Sequence, residues 1–240
     1  MINIKHASEN KRNYNWRVMV YGKPGVGKTS AIRNLPGKTL VLDLDNSSRV
    51  LAGQENVDII PFDRTRPTDA MEELLRELPA FIKEGGYNTF VIDNVSSFEK
   101  DWFVERGKES KNHIGNELQH YSQWTNYFAR VMTVLYELPV NIFVTAWEVN
   151  EETPSDTGQT FKKFVPEIRP NSRNGLLGLT DVVGRAMINP QTGGRGVILQ
   201  GTDFVEAKNR MDNRTATSVE ELFNFGDVSI KQGEPAKDTK

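Results

Sequence analysis

The stretch GKPGVGKT, residues 22–29, decides the fold of this chain. It fits the pattern G-x4-G-K-[ST] without a mismatch, and a chain of this length contains such a match by accident about once in a hundred. The apolar run WRVMVYG before it predicts a buried strand, and GKTSAIRNL after it predicts a short helix that ends at Pro36. A strand, a glycine-rich turn and a helix in this order predict a phosphate-binding loop.

The spacing within this loop follows from the chemistry of phosphate binding. Gly22, Gly25 and Gly27 let backbone N–H groups curl around a β-phosphate, because no Cβ stands in the way. Lys28 is expected to reach the β- and γ-phosphate oxygens, and Thr29 is expected to present its hydroxyl to Mg²⁺. The residues expected to contact the nucleotide here are Gly22, Lys23, Pro24, Gly25, Val26, Gly27, Lys28, Thr29 and Ser30.

Carboxylates end two further apolar runs. TFVIDN places Asp93 after four largely apolar residues, which is where a metal-supporting aspartate is expected, so Thr29 and Asp93 form the predicted Mg²⁺ site. The run KTLVLDLD ends in Asp43 and Asp45, which strand alternation places on the same side. Either carboxylate is a candidate for activating water, and spacing alone leaves the choice between them open.

Composition bounds the classes of partner. Thirty basic residues against 32 acidic ones give a formal charge of −2, so nucleic-acid contacts must come from local patches. The absence of cysteine excludes disulfides, thiolate metal sites and cysteine nucleophiles, and three scattered histidines do not indicate a metal centre. With no apolar run of membrane-spanning length and no signal-peptide pattern, the sequence predicts a soluble cytoplasmic protein without a membrane partner.

Strand and helix patterns alternate through residue 147, which predicts an α/β fold with a mostly parallel central sheet flanked by helices. A strand at FVEAKNR and a hairpin turning at PQTGG are predicted to add late antiparallel strands, and residues 148–175 are predicted to be a long loop or β-excursion. The predicted organisation is a flexible segment 1–15, one domain 16–230 and a disordered tail 231–240.

Taken together, GKPGVGKTS, LVLDLD, GGYNTFVIDNVSSF, NIFVTAWE and FVEAKNR resemble a shortened RecA-like P-loop NTPase core over roughly residues 16–225. More closely, the chain resembles a phage-encoded AAA-type nucleotide-binding family, some members of which are RecA-like single-strand annealing proteins. The resemblance implies an ATPase that uses ATP and Mg²⁺, slow alone and stimulated by single-stranded DNA or by oligomerisation. A phage-encoded protein would act in the host cytoplasm.

The resemblance also implies roles for single residues. Asp45 falls where RecA-type ATPases carry the acid that activates water, as aspartate in place of glutamate, and Thr145 is the nearest match to the polar sensor of the γ-phosphate. Lys208-Asn209-Arg210 falls where RecA-type filaments carry a Lys-x-Lys that reaches the ATP of the adjacent subunit. Lys208 and Arg210 are therefore expected to be catalytic at the ATP of the adjacent subunit, whereas Lys28 and Asp45 are expected to be catalytic at the ATP of their own. The alternative is a pair of exposed cations on an edge strand.

Single-stranded DNA is the partner that the resemblance implies, held by two loops at residues 99–122 and 148–175. Both segments mix aromatic and basic residues, as single-strand binding requires, although acidic residues lie among them. In the alternative interpretation, Trp102 and Phe103 are core residues of a helix, and Phe161 and Phe164 pack a hairpin. The expected DNA contacts are Lys108, Lys111, Lys162, Lys163, Arg169 and Arg173.

Two function classes stay open. The first is a RecA-like ATPase that assembles into a ring or filament and acts on single-stranded DNA in phage recombination, annealing or replication, with a single-strand binding protein or a helicase as a further partner. The second is a nucleotide-switched helicase loader or replication accessory protein that binds a protein rather than DNA. A small-molecule kinase is disfavoured, because no arginine-rich lid follows TFVIDN. The sequence leaves open whether hydrolysis is required.

Overall fold

The computed structural model describes residue 4, residue 6, residues 15–154 and residues 160–226. Nearly all of the segment 1–15 and the whole of the tail 231–240, predicted to be flexible and disordered, lie outside the described residues. Within the described ranges, no helix is both long enough and apolar enough to cross a membrane.

The described elements alternate between strands and helices as far as residue 146, except that two helices follow one another between residues 95 and 136. The strands are β1 (Arg17–Tyr21), β2 (Thr39–Asp43), β3 (Val57–Pro61), β4 (Thr89–Asp93), β5 (Asn141–Ala146), β6 (Glu148–Pro154), β7 (Thr160–Pro166), β8 (Val182–Ile188), β9 (Arg195–Ile198), β10 (Lys208–Asn209) and β11 (Ala216–Ser218). The helices are α1 (Pro67–Gly85), α2 (Val95–Glu109), α3 (Leu118–Tyr136) and α4 (Pro170–Leu179), with short 3-10 helices at Thr29–Asn34 and Ser48–Leu51.

Nine of the strands found in the described ranges form one mixed sheet in the order β11-β9-β8-β1-β5-β4-β2-β3, and β10 also pairs with β8. The strands from β8 to β3 in this order run parallel, whereas β9, β10 and β11 pair antiparallel. The predicted α/β fold with a mostly parallel sheet and late antiparallel strands is therefore confirmed. Because carboxyl ends of parallel strands meet at one edge, β1, β5, β4 and β2 all end in the same crevice.

Burial on both faces explains why β1 is continuously apolar. Met19 and Tyr21 belong to a core cluster shared with α1, α2 and α3. Val18 and Val20 point to the opposite face, where they join a second cluster with C-terminal residues such as Phe223. The sheet is thus held between two apolar layers, and its carboxyl edge is left free to carry polar side chains.

The prediction that residues 99–122 form a loop is wrong, because most of this segment is helical. Helix α2 begins at Val95 and α3 begins at Leu118, so both helices enter the segment 99–122. Trp102 and Phe103 are only 2% and 9% exposed, so they are helix core residues, as the alternative interpretation held. No helical period was visible in the sequence because polar residues such as Ser96 are buried on the same helix.

The second predicted loop is partly a β-excursion, as expected, and partly a helix that the sequence did not reveal. Strands β6 and β7 pair as an antiparallel hairpin, and α4 follows with Pro170 at its first turn. The predicted strand at FVEAKNR is wrong in extent. Only Lys208–Asn209 pairs as a strand, while Val205 makes isolated bridges to Phe164 and Thr202.

The helix predicted after the glycine-rich loop is a 3-10 helix of six residues, Thr29–Asn34. Such a short, tightly wound helix adds less partial charge at its start than several turns of α-helix would. The positive potential at this loop must therefore come mainly from side chains.

The hydroxyl of Tyr21 connects the strand that enters this loop to two other segments. It lies 2.9 Å from the carbonyl oxygen of Phe164 in β7 and 2.8 Å from the carbonyl oxygen of Glu206, shortly before β10. Burial raises the pKa of Tyr21, so the phenol keeps its proton and acts as the donor.

Candidate functional site

The glycine-rich loop lies at the carboxyl edge of the sheet, between β1 and the first 3-10 helix. Gly25 and Gly27 have φ of 81° and 99°, a region that residues with a side chain rarely adopt. At Gly22 the reason is packing, since an added Cβ would lie 2.6 Å from the carbonyl oxygen of Ala186 in β8. Of the other loop residues, Lys23 and Pro24 are exposed, Val26 is buried and Ser30 is partly buried.

Lys28 is a buried cation, with 7% of its side chain exposed. Its ammonium donates to the carbonyl oxygens of Gly22 at 2.8 Å and Lys23 at 3.0 Å, and no carboxylate lies within ion-pair distance of it in the described ranges. Burial lowers the pKa of Lys28, an effect that the more distant charge of Asp93 partly opposes. An ammonium held only by carbonyls of its own loop lacks a counter-anion, and a phosphate group would supply one.

Four polar side chains from four elements meet beside this lysine. Asp93, at the end of β4, is 2% exposed; it accepts a hydrogen bond from Thr145 of β5 and another from Ser47 at 3.3 Å. The hydroxyls of Thr29 and Ser47 are 3.3 Å apart. The structure therefore brings together Thr29, Asp93 and Thr145, all expected from the sequence. Ser47 was not expected, although a hydroxyl residue directly after the acidic end of LVLDLD was a usable signal.

The donor set of this cluster suits a magnesium ion that is also held by a nucleotide. Burial raises the pKa of Asp93, whereas hydrogen bonds from Thr145 and Thr29 oppose that rise, and a bound cation would favour the carboxylate form. No group of three or more acidic or histidine side chains in the described residues would hold a metal alone. Mg²⁺ commonly binds through one or two protein ligands together with waters and substrate phosphates.

The two aspartates at the end of β2 have different surroundings. Asp43 is buried, and its oxygens accept backbone N–H groups of Ser47 at 3.0 Å and Ser48 at 3.2 Å. Asp45 is partly exposed; one oxygen accepts the Ser47 N–H at 3.1 Å and the other accepts the side chain of Asn94. Burial raises the pKa of Asp45. Asp43 thus fixes the turn, while Asp45 is oriented by Asn94 and reaches solvent.

Lys208 and Arg210 lie at the opposite edge of the sheet from their own glycine-rich loop. Lys208 pairs with Val183 near the start of β8, and its ammonium donates to the last carbonyls of α4, at Leu177 and Gly178. Arg210 is exposed and donates to the carbonyl oxygen of Gly178 at 3.3 Å. Burial, together with the charge of Arg210, lowers the pKa of Lys208. Within one subunit, these cations complement the negative end of a helix.

The basic residues expected to contact DNA fall into two groups. Lys108, Lys111 and Lys162 are exposed, without an ion pair in the described part of the chain. The other group is engaged: Lys163 pairs with Glu206 at 2.7 Å, Arg173 is buried in a two-pronged pair with Glu151, and Arg169 stacks over Phe103 and Tyr121. The Arg173 guanidinium is satisfied inside the protein, so it does not belong to an open basic surface.

A groove of about 590 Å³ separates α2 from the β6–β7 hairpin. Its lining is of mixed charge, with Lys100 and Arg169 facing Glu99, Glu151 and Glu167. Glu99 accepts the backbone N–H of Arg169 with its two oxygens at 3.2 and 3.1 Å, and burial raises the pKa of Glu99 to about 7.

The raised pKa of Glu99 predicts a stability that falls with rising pH. Between 4.5, the ordinary value for the carboxyl, and about 7, the folded state binds the proton more tightly than the unfolded state. The free energy of unfolding of the Glu99→Gln variant, relative to the unaltered protein, should increase by about 2–3 kcal/mol from about pH 5 to about pH 8. Urea denaturation at both pH values measures this, with Glu77→Gln on α1 as the exposed control. If the difference in unfolding free energy between Glu99→Gln and the unaltered protein is the same at both pH values, the raised pKa does not belong to Glu99.

The crevice at the carboxyl ends of β1, β5, β4 and β2 has one strand between the loop-bearing strand and the strand that ends in Asp93. This order, with a buried lysine in a glycine-rich loop, defines a P-loop protein with an AAA or RecA-like fold. The chain belongs to the family described as AAA domain, whose model matches residues 14–211. Membership indicates nucleotide binding and an ATPase family. No curated protein shows significant similarity to the chain.

Proposed function

We propose that this protein is an ATPase that binds Mg-ATP, assembles with copies of itself and acts on single-stranded DNA in recombination, annealing or replication. The observation that carries the proposal is the buried ammonium of Lys28, whose partners among the described residues are all carbonyl oxygens and which lies inside the glycine-rich loop. Membership in the AAA domain family supports the nucleotide-binding part of the proposal.

Different residues around the loop bind the phosphates and the magnesium ion. Backbone N–H groups of the loop and the ammonium of Lys28 hold phosphate oxygens. Thr29, Ser47 and Asp93 support Mg²⁺, which when bound neutralises charge on the phosphates. Thr145 donates to Asp93, so its hydroxyl is placed to sense a change at that carboxylate.

Asp45 is the residue we assign to water activation. Its carboxylate reaches solvent, is oriented by the amide of Asn94 and has a pKa raised by burial, which moves it towards the range of an effective base. Asp43 does not meet these requirements, because its oxygens are used by the backbone of the turn.

Exchanging each aspartate for asparagine separates these two roles. We expect Asp45→Asn to lower ATP hydrolysis about 10²- to 10⁴-fold with nucleotide affinity retained. Asp43→Asn should instead lower the free energy of unfolding by about 1–3 kcal/mol, because asparagine keeps one acceptor oxygen and places an NH2 group against the other, part-buried N–H. Steady-state ATPase assays and urea denaturation measure both. If both variants lose turnover equally and have the same free energy of unfolding, this division of roles between Asp45 and Asp43 is wrong.

Self-assembly would give Lys208 and Arg210 a catalytic role. Both lie at the edge opposite their own loop, so the nucleotide they would contact is that of a neighbouring subunit. A cation supplied in this way stabilises charge on the transferred phosphoryl group. ATP would then lie between subunits and promote their association.

The DNA-binding surface that we propose is smaller than the sequence suggested. It comprises Lys108 and Lys111 near the end of α2, Lys162 on the hairpin, and Arg169 over its two aromatic rings. Exposed cations suit a phosphate backbone, and Tyr121, unlike the buried Phe103, is exposed enough to contact an unpaired base.

The experiment that tests DNA action is the ATPase rate with and without single-stranded DNA, at low and at high salt. We expect stimulation that fades as salt rises, because phosphate contacts release counterions. The double change Lys108→Gln with Lys111→Gln should reduce the stimulation, whereas Lys83→Gln on α1 should not. Light scattering with a non-hydrolysable ATP analogue should show a larger assembly than without it.

A helicase loader or replication accessory protein is the second candidate function. The carboxylates that line the groove beside α2 are paired with basic side chains, Glu99 with Arg169, Glu151 with Arg173 and Glu167 with Lys100. A groove of such mixed charge suits a protein partner better than the phosphate backbone of a nucleic acid. In this case ATP still binds, but single-stranded DNA has no effect on the ATPase rate at any salt concentration.

A further inference from the structure

Arg195, the first residue of β9, lies against the glycine-rich loop. A Cβ placed on Gly27 would be 3.0 Å from Cδ of Arg195 and 3.3 Å from its Nε and Nη1. The stem and guanidinium of this arginine therefore pack on the α-carbon side of Gly27, directly before Lys28. This contact joins residues that are far apart in the sequence.

The charge of Arg195 has no partner among the residues that the structure describes. Its side chain is exposed and makes no hydrogen bond or ion pair among the described residues. The neighbouring cations are engaged, since Lys28 donates to two carbonyls and Arg185 pairs with Glu148 at 2.7 Å. Arg195 thus brings an uncompensated guanidinium to the edge of the loop.

The backbone of Arg195 is held in place by a closed hairpin. Asn189 and Gly194 are joined by a hydrogen bond of 2.8 Å, and Gly193 donates to the carbonyl oxygen of Asn189 at 2.8 Å. Arg195 itself pairs with Ile188 of β8, the strand that runs beside β1. The position of the Arg195 backbone beside the loop therefore follows from the sheet, and the side-chain torsions bring the guanidinium to Gly27.

We propose that Arg195 binds the nucleotide in its own subunit, at the β-phosphate that ATP and ADP share. The inference rests on the proposed nucleotide binding, because the loop amides surround a β-phosphate in this class of site. A guanidinium can donate two parallel N–H hydrogen bonds to two oxygens of one phosphate, and it remains charged at all relevant pH values. Arg195 would hold the nucleotide before and after hydrolysis, in contrast to Arg210, which would act on a neighbour's γ-phosphate.

Equilibrium binding of ATP and of ADP to the full chain tests this role. For Arg195→Ala we expect the Kd of both nucleotides to rise about tenfold or more, the effect of losing a hydrogen-bonded charge contact. Arg195→Lys should raise the Kd less, because lysine keeps the charge but cannot donate two parallel hydrogen bonds. Arg76→Ala, which removes an exposed arginine from α1, is the matched control and should bind as the unaltered protein does. Melting without nucleotide confirms that each variant is folded.

The outcomes separate this inference from the proposed function. If the unaltered protein binds ATP and ADP but Arg195→Ala binds both with unchanged Kd, the role of Arg195 is wrong and nucleotide binding stands. A loss for ATP alone also overturns it, because the contact would then be to the γ-phosphate. If the unaltered protein binds neither nucleotide, the proposed function and this inference fail together.

Discussion

Replacing Lys28 with methionine should weaken ATP binding by at least about 100-fold, because the phosphates lose a cation in a buried site. The nucleotide-free chain should meanwhile keep its unfolding temperature or gain stability. Lys28 is buried and has no anion partner in the described part of the chain, burial lowers the pKa of its ammonium, and methionine has a similar volume without the charge. Calorimetric titration with Mg-ATP and thermal melts measure the two effects.

The sign of the Lys28 contribution can be checked through pH. Since the pKa of Lys28 is lower in the folded state than its ordinary value of 10.5, the unfolded chain binds its proton more tightly, and the ammonium costs stability below the folded pKa. That cost is relieved as pH rises towards 10.5, so the stability gain of Lys28→Met should shrink at alkaline pH. Lys83→Met on α1 is the exposed control. Unimpaired ATP binding by Lys28→Met would remove the basis of the proposed function.

Replacing Arg210 with alanine should leave ATP bound and lower its hydrolysis about 10³-fold, the lower end for arginine contacts that complete a phosphoryl-transfer site from another subunit. The fold should tolerate the change, because Arg210 is exposed and gives up one hydrogen bond to Gly178, worth about 0.3–1 kcal/mol as a helix-end contact. Lys208 is a less direct probe, since its ammonium also caps Leu177.

An equimolar mixture of Arg210→Ala and Lys28→Met chains distinguishes action in trans from action within a subunit. Each variant alone should be nearly inactive. In mixed assemblies, about a quarter of the interfaces pair an intact loop with an intact arginine, so about a quarter of the normal rate should return. A mixture as inactive as its components, or Arg210→Ala chains that hydrolyse ATP at the unaltered rate, would contradict the trans assignment.

The loop, the strand ends and the mostly parallel sheet could be predicted because their signals are local. Gly25 and Gly27 are required by their own φ values, and Asp93 follows directly from the strand that carries it. The sequence predicts Asp43 and Asp45 as candidates for activating water, but it does not show which of the two has that role. Their difference arises from Ser47, Ser48 and Asn94, whose contacts exist only after the turn and the neighbouring strand are in place.

The remaining errors have a common physical origin in tertiary packing. Helix α2 buries Ser96 and Glu99 beside Trp102, so its buried face is not an apolar face and periodicity fails. The sequence predicts Arg173 as part of a basic surface, because its pairing with Glu151 arises only in the folded hairpin and helix α4. Arg195 carries no sequence signal for nucleotide contact, because only the β8–β9 hairpin brings it to Gly27.

The phenol of Tyr21 has one proton but two acceptors, the carbonyl oxygens of Phe164 and Glu206. The two carbonyls therefore share it, and the two segments are also joined directly, by backbone hydrogen bonds from Phe164 to Phe204 and from Glu206 to Phe164. Since burial keeps this proton in place, the contact of the phenol is insensitive to pH across the physiological range. A single hydroxyl thus ties the hairpin and the segment leading to Lys208 to the strand that precedes the glycine-rich loop.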